Sequence, residues 1–140
     1  MTATELIFNQ LASVDADLPE QAFNTVSLPF DRRQRSRSRV EVDEGPLRGS
    51  SVGINLPRGT VMRAGAMLLC RVADQAVHGL RVDAAPEQLV EVTAHSHSQL
   101  TAIAYHLGNR HIPVQVGDRW VRLQQDHVLE NMVLGLGGHV

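Results

Sequence analysis

One cysteine, Cys70, in 140 residues leaves no internal disulfide to build and points to a reducing compartment. It closes the apolar run Met67-Leu68-Leu69-Cys70, where a lone thiol reads as a small buried hydrophobe. No apolar stretch approaches the roughly 20 residues that span a bilayer, and the amino terminus lacks a basic-then-apolar leader, so no membrane association and a cytoplasmic location are expected. Aromatics are scarce: Phe8, Phe23, Phe30, Tyr105 and Trp120 are all there are. The core must therefore come from Val, Leu, Ile and Ala, each large aliphatic contributing about 1.5 to 3 kcal/mol when covered. A formal net charge of −2 gives no global attraction to nucleic acid or anionic lipid. Missing too are a P-loop, a dinucleotide glycine fingerprint, a nucleophile motif, HExxH and the tight Cys/His spacing of a structural zinc site, so no enzyme is expected.

What is present is 43% hydrophobic and 20% charged, the balance of a folded globular protein. Residues 1–25 show only Leu6-Ile7-Phe8 and Leu11 as an apolar cluster and specify no element. Beyond them, short alternating runs broken by Gly and Pro predict strands at Val26-Ser27-Leu28, Val40-Glu41-Val42 and Val52-Gly53-Ile54-Asn55-Leu56. Met67 to Ala73 and Val77 to Val82 form another pair, with Asp74-Gln75 as the turn between them. Closely spaced turns favour a β sandwich or barrel over parallel βαβ units. The small, proline-containing Asp83-Ala84-Ala85-Pro86-Glu87 marks a boundary, giving domains 1–85 and 86–140.

The second half reads β-α-β-β-α. Leu89 to Ala94 is a strand with Val90, Val92 and Ala94 on one face. Ser96 and Gln99 have capping-box spacing, and Leu100, Ile103, Ala104 and Leu107 recur as one helix face, with Gly108 as the expected left-handed stop. Ile112, Val114 and Val116 alternate as a strand, Gly117-Asp118 turns the chain, and Val121 and Leu123 return. Asp126 caps a last helix with Val128, Leu129, Met132, Val133 and Leu136 on one stripe, ended by Gly137-Gly138. The fold class is α+β: a small all-β domain, then most of a ferredoxin-like unit whose closing strand is short or absent.

Six of the seven histidines fall in the last third: His95, His97, His106, His111, His127 and His139. Neutral imidazole suits Ni²⁺, Zn²⁺ and Cu²⁺, but no local run supplies the four to six donors such ions generally take. A histidine just past a helix end, as His111 is, also serves to cap carbonyls or meet the helix dipole. His97 and His127 read equally as solvated helix-start side chains, and His106 as a flank residue. A rival feature is the run Asp31-Arg32-Arg33-Gln34-Arg35-Ser36-Arg37-Ser38-Arg39. On an extended strand Arg33, Arg35, Arg37 and Arg39 would share a face, a row fit for phosphates or an acidic protein, though without interleaved aromatics to stack bases.

From about Val26 to Leu136 the chain resembles the urease accessory protein E (UreE) family of nickel metallochaperones. The residues that carry the likeness are Tyr105-His106-Leu107-Gly108-Asn109-Arg110-His111-Ile112-Pro113, Asp126-His127-Val128-Leu129 with Met132, Leu56-Pro57-Arg58-Gly59 and Ser36-Arg37-Ser38-Arg39-Val40. The resemblance implies a homodimer formed through the second domain, with His111 from each protomer meeting at the two-fold axis around one Ni²⁺, a position Zn²⁺ or Cu²⁺ also suits. It places His127 at a peripheral metal position, where Gln125 stands in for a preceding histidine. His106 and His139 are further candidate ligands, His139 in place of a histidine-rich tail. The implied partners are the urease apoprotein and its accessory proteins, including the accessory GTPase, with the β domain docking through residues near Leu56 or Val61. Protons compete for imidazole nitrogen, so metal loading is expected to weaken in acid.

Overall fold

A computed structural model describes residues 5–12 and 18–140 of the chain. The chain divides into two compact units, Met1–Pro86 and Glu87–Val140.

The first unit has six strands: β1 (Ile7–Ala12), β2 (Phe23–Leu28), β3 (Arg37–Glu41), β4 (Ser51–Asn55), β5 (Ala66–Val72) and β6 (Gln75–Ala84), of which β2 and β3 show alternating burial. They form one sheet in the order β2-β6-β5-β1-β4-β3. β1 runs parallel to β4 and β2 parallel to β6; the other pairs are antiparallel. Val26 and Leu28 from one edge strand share a single core with Val40 from the other, together with Phe8, Val52, Ile54, Leu68, Leu80 and Val82. A sheet can bury both its edges in one core only by rolling up. A bridge past the end of β3 completes the roll: Thr25 N–H donates to Glu44 O at 2.9 Å and Asp43 N–H to Thr25 O at 2.9 Å.

β1 is the strand that local sequence does not announce, because only Phe8 of its six residues is buried. Its place between β4 and β5 holds it extended, a tertiary override of a weak local pattern. The β5–β6 turn sits one residue earlier than Asp74-Gln75: Val72 pairs with Gln75, leaving Ala73 and Asp74 as the two-residue loop with φ of 51° and 65°. Both residues are left-handed, as a tight hairpin of this twist requires. Asn24 is the buried polar residue of this core among the described residues, and its side chain ties β2 to the turn before it, to β6 and to the loop at Leu47. Its Nδ2 donates to Ala22 O (3.2 Å) and Gly79 O (3.1 Å), and its Oδ1 accepts from Leu47 N–H (2.9 Å). Cys70 is also buried, and desolvation pushes its thiol pKa up, a backbone hydrogen bond at Ile7 partly opposing. Leu56 is a core residue with 4% exposure and so cannot contact a partner, whereas Val61 is exposed.

The expected four-arginine row does not form. Pro29 caps a short helix, α1 (Phe30–Arg33), so extended structure resumes only at Arg37: Arg37 and Arg39 share a strand face, and Arg33 and Arg35 fall outside it. Arg33 turns inward to Leu28 O (3.1 Å) and Met62 O (3.2 Å), Arg39 pairs with Glu5 at 2.6 Å, Arg37 donates to Asn55 at 3.2 Å, and Arg35 lies 3.8 Å from Asp31. Each of these guanidinium groups has a partner within the chain, with those of Arg35 and Arg39 at the surface.

The second unit comprises β7 (Leu89–Val92), α2 (His97–Asn109), β8 (Gln115–Val116), β9 (Val121–Gln124) and α3 (His127–Gly135). Its antiparallel sheet runs β7-β9-β8, the order of a ferredoxin-like unit. Where a closing strand would pair with the first, the chain end makes a single antiparallel bridge between Thr93 and His139, with bonds of 3.0 and 2.8 Å. Val92, Ile103, Leu107, Val121, Leu123, Leu129 and Val133 form the core, with Leu100, Ala104, Ile112, Val114, Met132 and Leu136 packed around it. Two expectations shift. Val128 lies off the apolar stripe of α3 and is 67% exposed, and Val116 faces away from Ile112 and Val114 at 75% exposure. Pro113, which has no N–H to give a ladder, keeps β8 down to two residues on the sheet edge.

Among the described residues no helix is long and apolar enough to cross a membrane.

Candidate metal centre

The site is built outward from α2. Ser96 accepts from Gln99 N–H at 3.1 Å and starts the helix as expected. The second half of the capping box is missing, because the Gln99 side chain instead donates to Leu136 O at 3.3 Å, tying α2 to the end of α3. Ile103 and Leu107 bury the inner face completely, while Tyr105 and His106 project outward.

The end of α2 is where observation departs most from the sequence reading. Gly108 does not stop the helix; it lies inside it, and the residue in the left-handed region is His111, at φ 58°. His111 N–H donates to Gly108 O at 2.9 Å and Ile112 N–H to Leu107 O at 3.1 Å, which together make a Schellman motif with His111 at its left-handed position. Ile112 and Leu107 supply the apolar contact that accompanies it. The same motif ends α3, where Gly137 (φ 84°) donates to Leu134 O at 3.0 Å and Gly138 to Val133 O at 2.9 Å. Two helices of one small unit thus end alike, one with glycine and one with histidine. A side chain at that position meets the following carbonyl and costs about 1 to 2 kcal/mol. Nothing in the fold repays it: the His111 ring is exposed and makes no hydrogen bond or ion pair with any described residue. Carbonyl capping by the ring, the structural alternative, is therefore not what places histidine here. The turn instead holds an imidazole out from the protein on a rigid stem.

The other candidates are spread over the unit. His106 is exposed on α2, edge-on to Tyr105 with ring centroids 6.0 Å apart. His127 opens α3, whose cap Asp126 accepts from Val128 N–H (2.9 Å) and Leu129 N–H (3.1 Å). Its Nδ1 lies 3.5 Å from Glu130 Oε2, so a carboxylate within its own helix stands beside this imidazole. His139 is nowhere near His111. It sits at the Thr93 bridge, beside the start of α2, with Nε2 3.2 Å from Nε2 of His95. His95 was not among the expected ligands; its partner is 44 residues away, beyond any local spacing rule. Among the described residues no three His, Cys, Asp or Glu side chains converge on one point. One chain thus offers single or paired imidazoles, not a closed coordination shell.

Comparison with known families matches residues 4–77 to the UreE urease accessory protein, N-terminal domain, and residues 87–140 to the UreE urease accessory protein, C-terminal domain. The urease accessory protein UreE of Acinetobacter baumannii (strain AYE) is 44% identical over 119 residues, covering 85% of this chain and 69% of that protein. That of Proteus mirabilis (strain HI4320) is 36% identical over 134 residues, 96% of this chain and 78% of the relative. That of Ralstonia nicotianae is 48% identical over 110 residues, 79% of this chain and 48% of the relative. Both halves match in order, each on its own compact unit, and the likeness extends over most of the chain: the protein belongs to the UreE family of urease accessory proteins, which are accessory factors and not enzymes.

Proposed function

We propose that this protein is a nickel metallochaperone for urease maturation, carrying Ni²⁺ between the His111 imidazoles of two protomers in a homodimer. The observation that carries this reading is the left-handed backbone of His111. A strained non-glycine residue with an exposed, unpartnered ring is the signature of a side chain retained for what it binds. Symmetry turns one ligand into two, and water or further side chains fill the remaining positions. Few fixed protein ligands suit a carrier, since an open shell releases its ion by ligand exchange where a closed one retains it. Zn²⁺ and Cu²⁺ compete for the same donors.

Dimerisation has support on both elements that the His111 turn joins. Tyr105 on α2 and Val116 on β8 are 70% and 75% exposed, apolar surface of the kind that a second copy covers. The first unit docks the urease apoprotein, with Val61 among its exposed apolar residues, and the accessory GTPase joins the same cytoplasmic assembly. Nickel titrated into wild type and His111→Ala, with mass followed by sedimentation, tests the reading. One ion shared by each dimer in wild type, and missing from the variant, is the expected result. A protein that stays monomeric in excess nickel, or a variant that loads like wild type, refutes it.

A further inference from the structure

We infer that His95 and His139 form a second cation site, a two-imidazole chelate for a borderline divalent ion such as Zn²⁺ or Ni²⁺, separate from His111. The inference goes beyond the reading above and does not rest on it. The two Nε2 atoms stand 3.2 Å apart, with the rings nearly perpendicular at 89° and their centroids 4.7 Å apart. Two zinc–nitrogen bonds of about 2.0 to 2.1 Å place their nitrogens about 3.3 to 3.4 Å apart at the tetrahedral angle, and about 2.9 Å apart at a right angle. The observed separation falls between those limits, so both lone pairs can serve one ion with little movement. Without an ion the same pair is held by an N–H···N hydrogen bond between rings of opposite tautomer.

The backbone preorganises the pair. Thr93 exchanges both its backbone bonds with His139, at 3.0 and 2.8 Å, and His95 follows two residues later, immediately before the Ser96 cap of α2. In antiparallel pairing this makes the two histidines diagonal neighbours, within reach for rings of this size. Both side chains are exposed, so the remaining coordination positions open to water. The site is distinct from His111 because α2 separates them. Its 13 residues, at about 1.5 Å each, put about 20 Å between the helix ends, too far for one ion within a chain to reach both. Among the described residues no third His, Cys, Asp or Glu completes the shell, and the positive end of the α2 dipole beside His95 opposes a cation. Both features make the site weak and exchangeable: it suits a loading or transit position better than a structural clamp.

Full-length His111→Ala protein, titrated with Zn²⁺ and with Ni²⁺ by calorimetry and native mass spectrometry, isolates this site from the other. One ion per chain is expected to remain. Adding His95→Gln or His139→Gln should lower its affinity at least about tenfold, since even second-shell losses at metal sites cost that much. In the His111→Ala protein, imidazole NMR signals broadened by paramagnetic Ni²⁺ should be those of His95 and His139. Circular dichroism checks that each variant is folded, as expected for exposed side chains. No ion in His111→Ala, or an ion whose affinity survives His95→Gln, overturns the proposal. Failure of the His111 reading shows separately, as nickel loading that is the same in wild type and His111→Ala.

Discussion

Replacing His111 with glycine should do two opposite things: abolish the nickel site and make the metal-free protein more stable. At φ 58° the histidine Cβ costs about 1 to 2 kcal/mol against a residue that lacks one. Glycine returns part of that gain, because it surrenders up to about 1 kcal/mol more backbone entropy on ordering. The net expectation is a stabilisation of about 0.5 to 1 kcal/mol. No compensating loss enters, since the ring is exposed and makes no hydrogen bond or ion pair with the described residues. In a small domain each 1 kcal/mol moves Tm by about 4 to 8 °C, within reach of scanning calorimetry or denaturant melts in the presence of a chelator. His111→Ala is the control that separates ring from backbone. Alanine keeps the Cβ and the strain, so it should lose the ion shared across the dimer and stay within about 0.5 kcal/mol of wild type. Gly137 holds the equivalent place on α3, where a Cβ would in addition meet the Gln99 side chain. If the glycine variant is no more stable than the alanine variant, His111 is not held left-handed and the case for a strained ligand falls.

Asn24→Ala should destabilise the first unit by about 1 to 3 kcal/mol, because it strands the half-buried Leu47 N–H and takes a donor from the buried Gly79 O; equilibrium urea melts measure this. Ala73→Asn with Asp74→Gly should raise stability by about 1 kcal/mol, by giving both left-handed loop positions residues that favour them, and unchanged melts would contradict the assigned turn. Cys70 should resist thiol reagents until the first unit unfolds. Its folded pKa lies above the ordinary 9.0, so its contribution to stability is complete below that pH and is lost as pH rises beyond it; alkylation rates and melts across that range report both effects.

The sequence makes some of this architecture plain and hides the rest for identifiable reasons. The Ser96 and Asp126 caps, the inner face of α2 and the return strand at Val121 and Leu123 are local in cause, and periodicity reveals them. β1 is invisible because its neighbours, not its own side chains, hold it in place. The arginine row fails for a local reason that a strand pattern overlooks: Pro29 has no N–H to give a ladder, and the one turn of helix at Phe30–Arg33 that follows it takes Arg33 off the strand face. His111 is legible as a residue after a helix, but its strain is not, since Gly108 is the obvious stop and only the hydrogen-bond pattern shows the helix running past it. The His95–His139 pair was beyond sequence reasoning, because a one-residue bridge brings together histidines 44 residues apart.

The bridge from Thr25 to Glu44 has a consequence for assembly. Open strand edges invite foreign strands, and many binding modules recruit extended peptides that way. Here Thr25 already spends its outward backbone groups on Asp43 and Glu44, so the margin of β2 is occupied at its middle. Whatever grips the first unit should therefore recognise turns and side chains rather than lengthen its sheet, which leaves the unit free to be released as well as held.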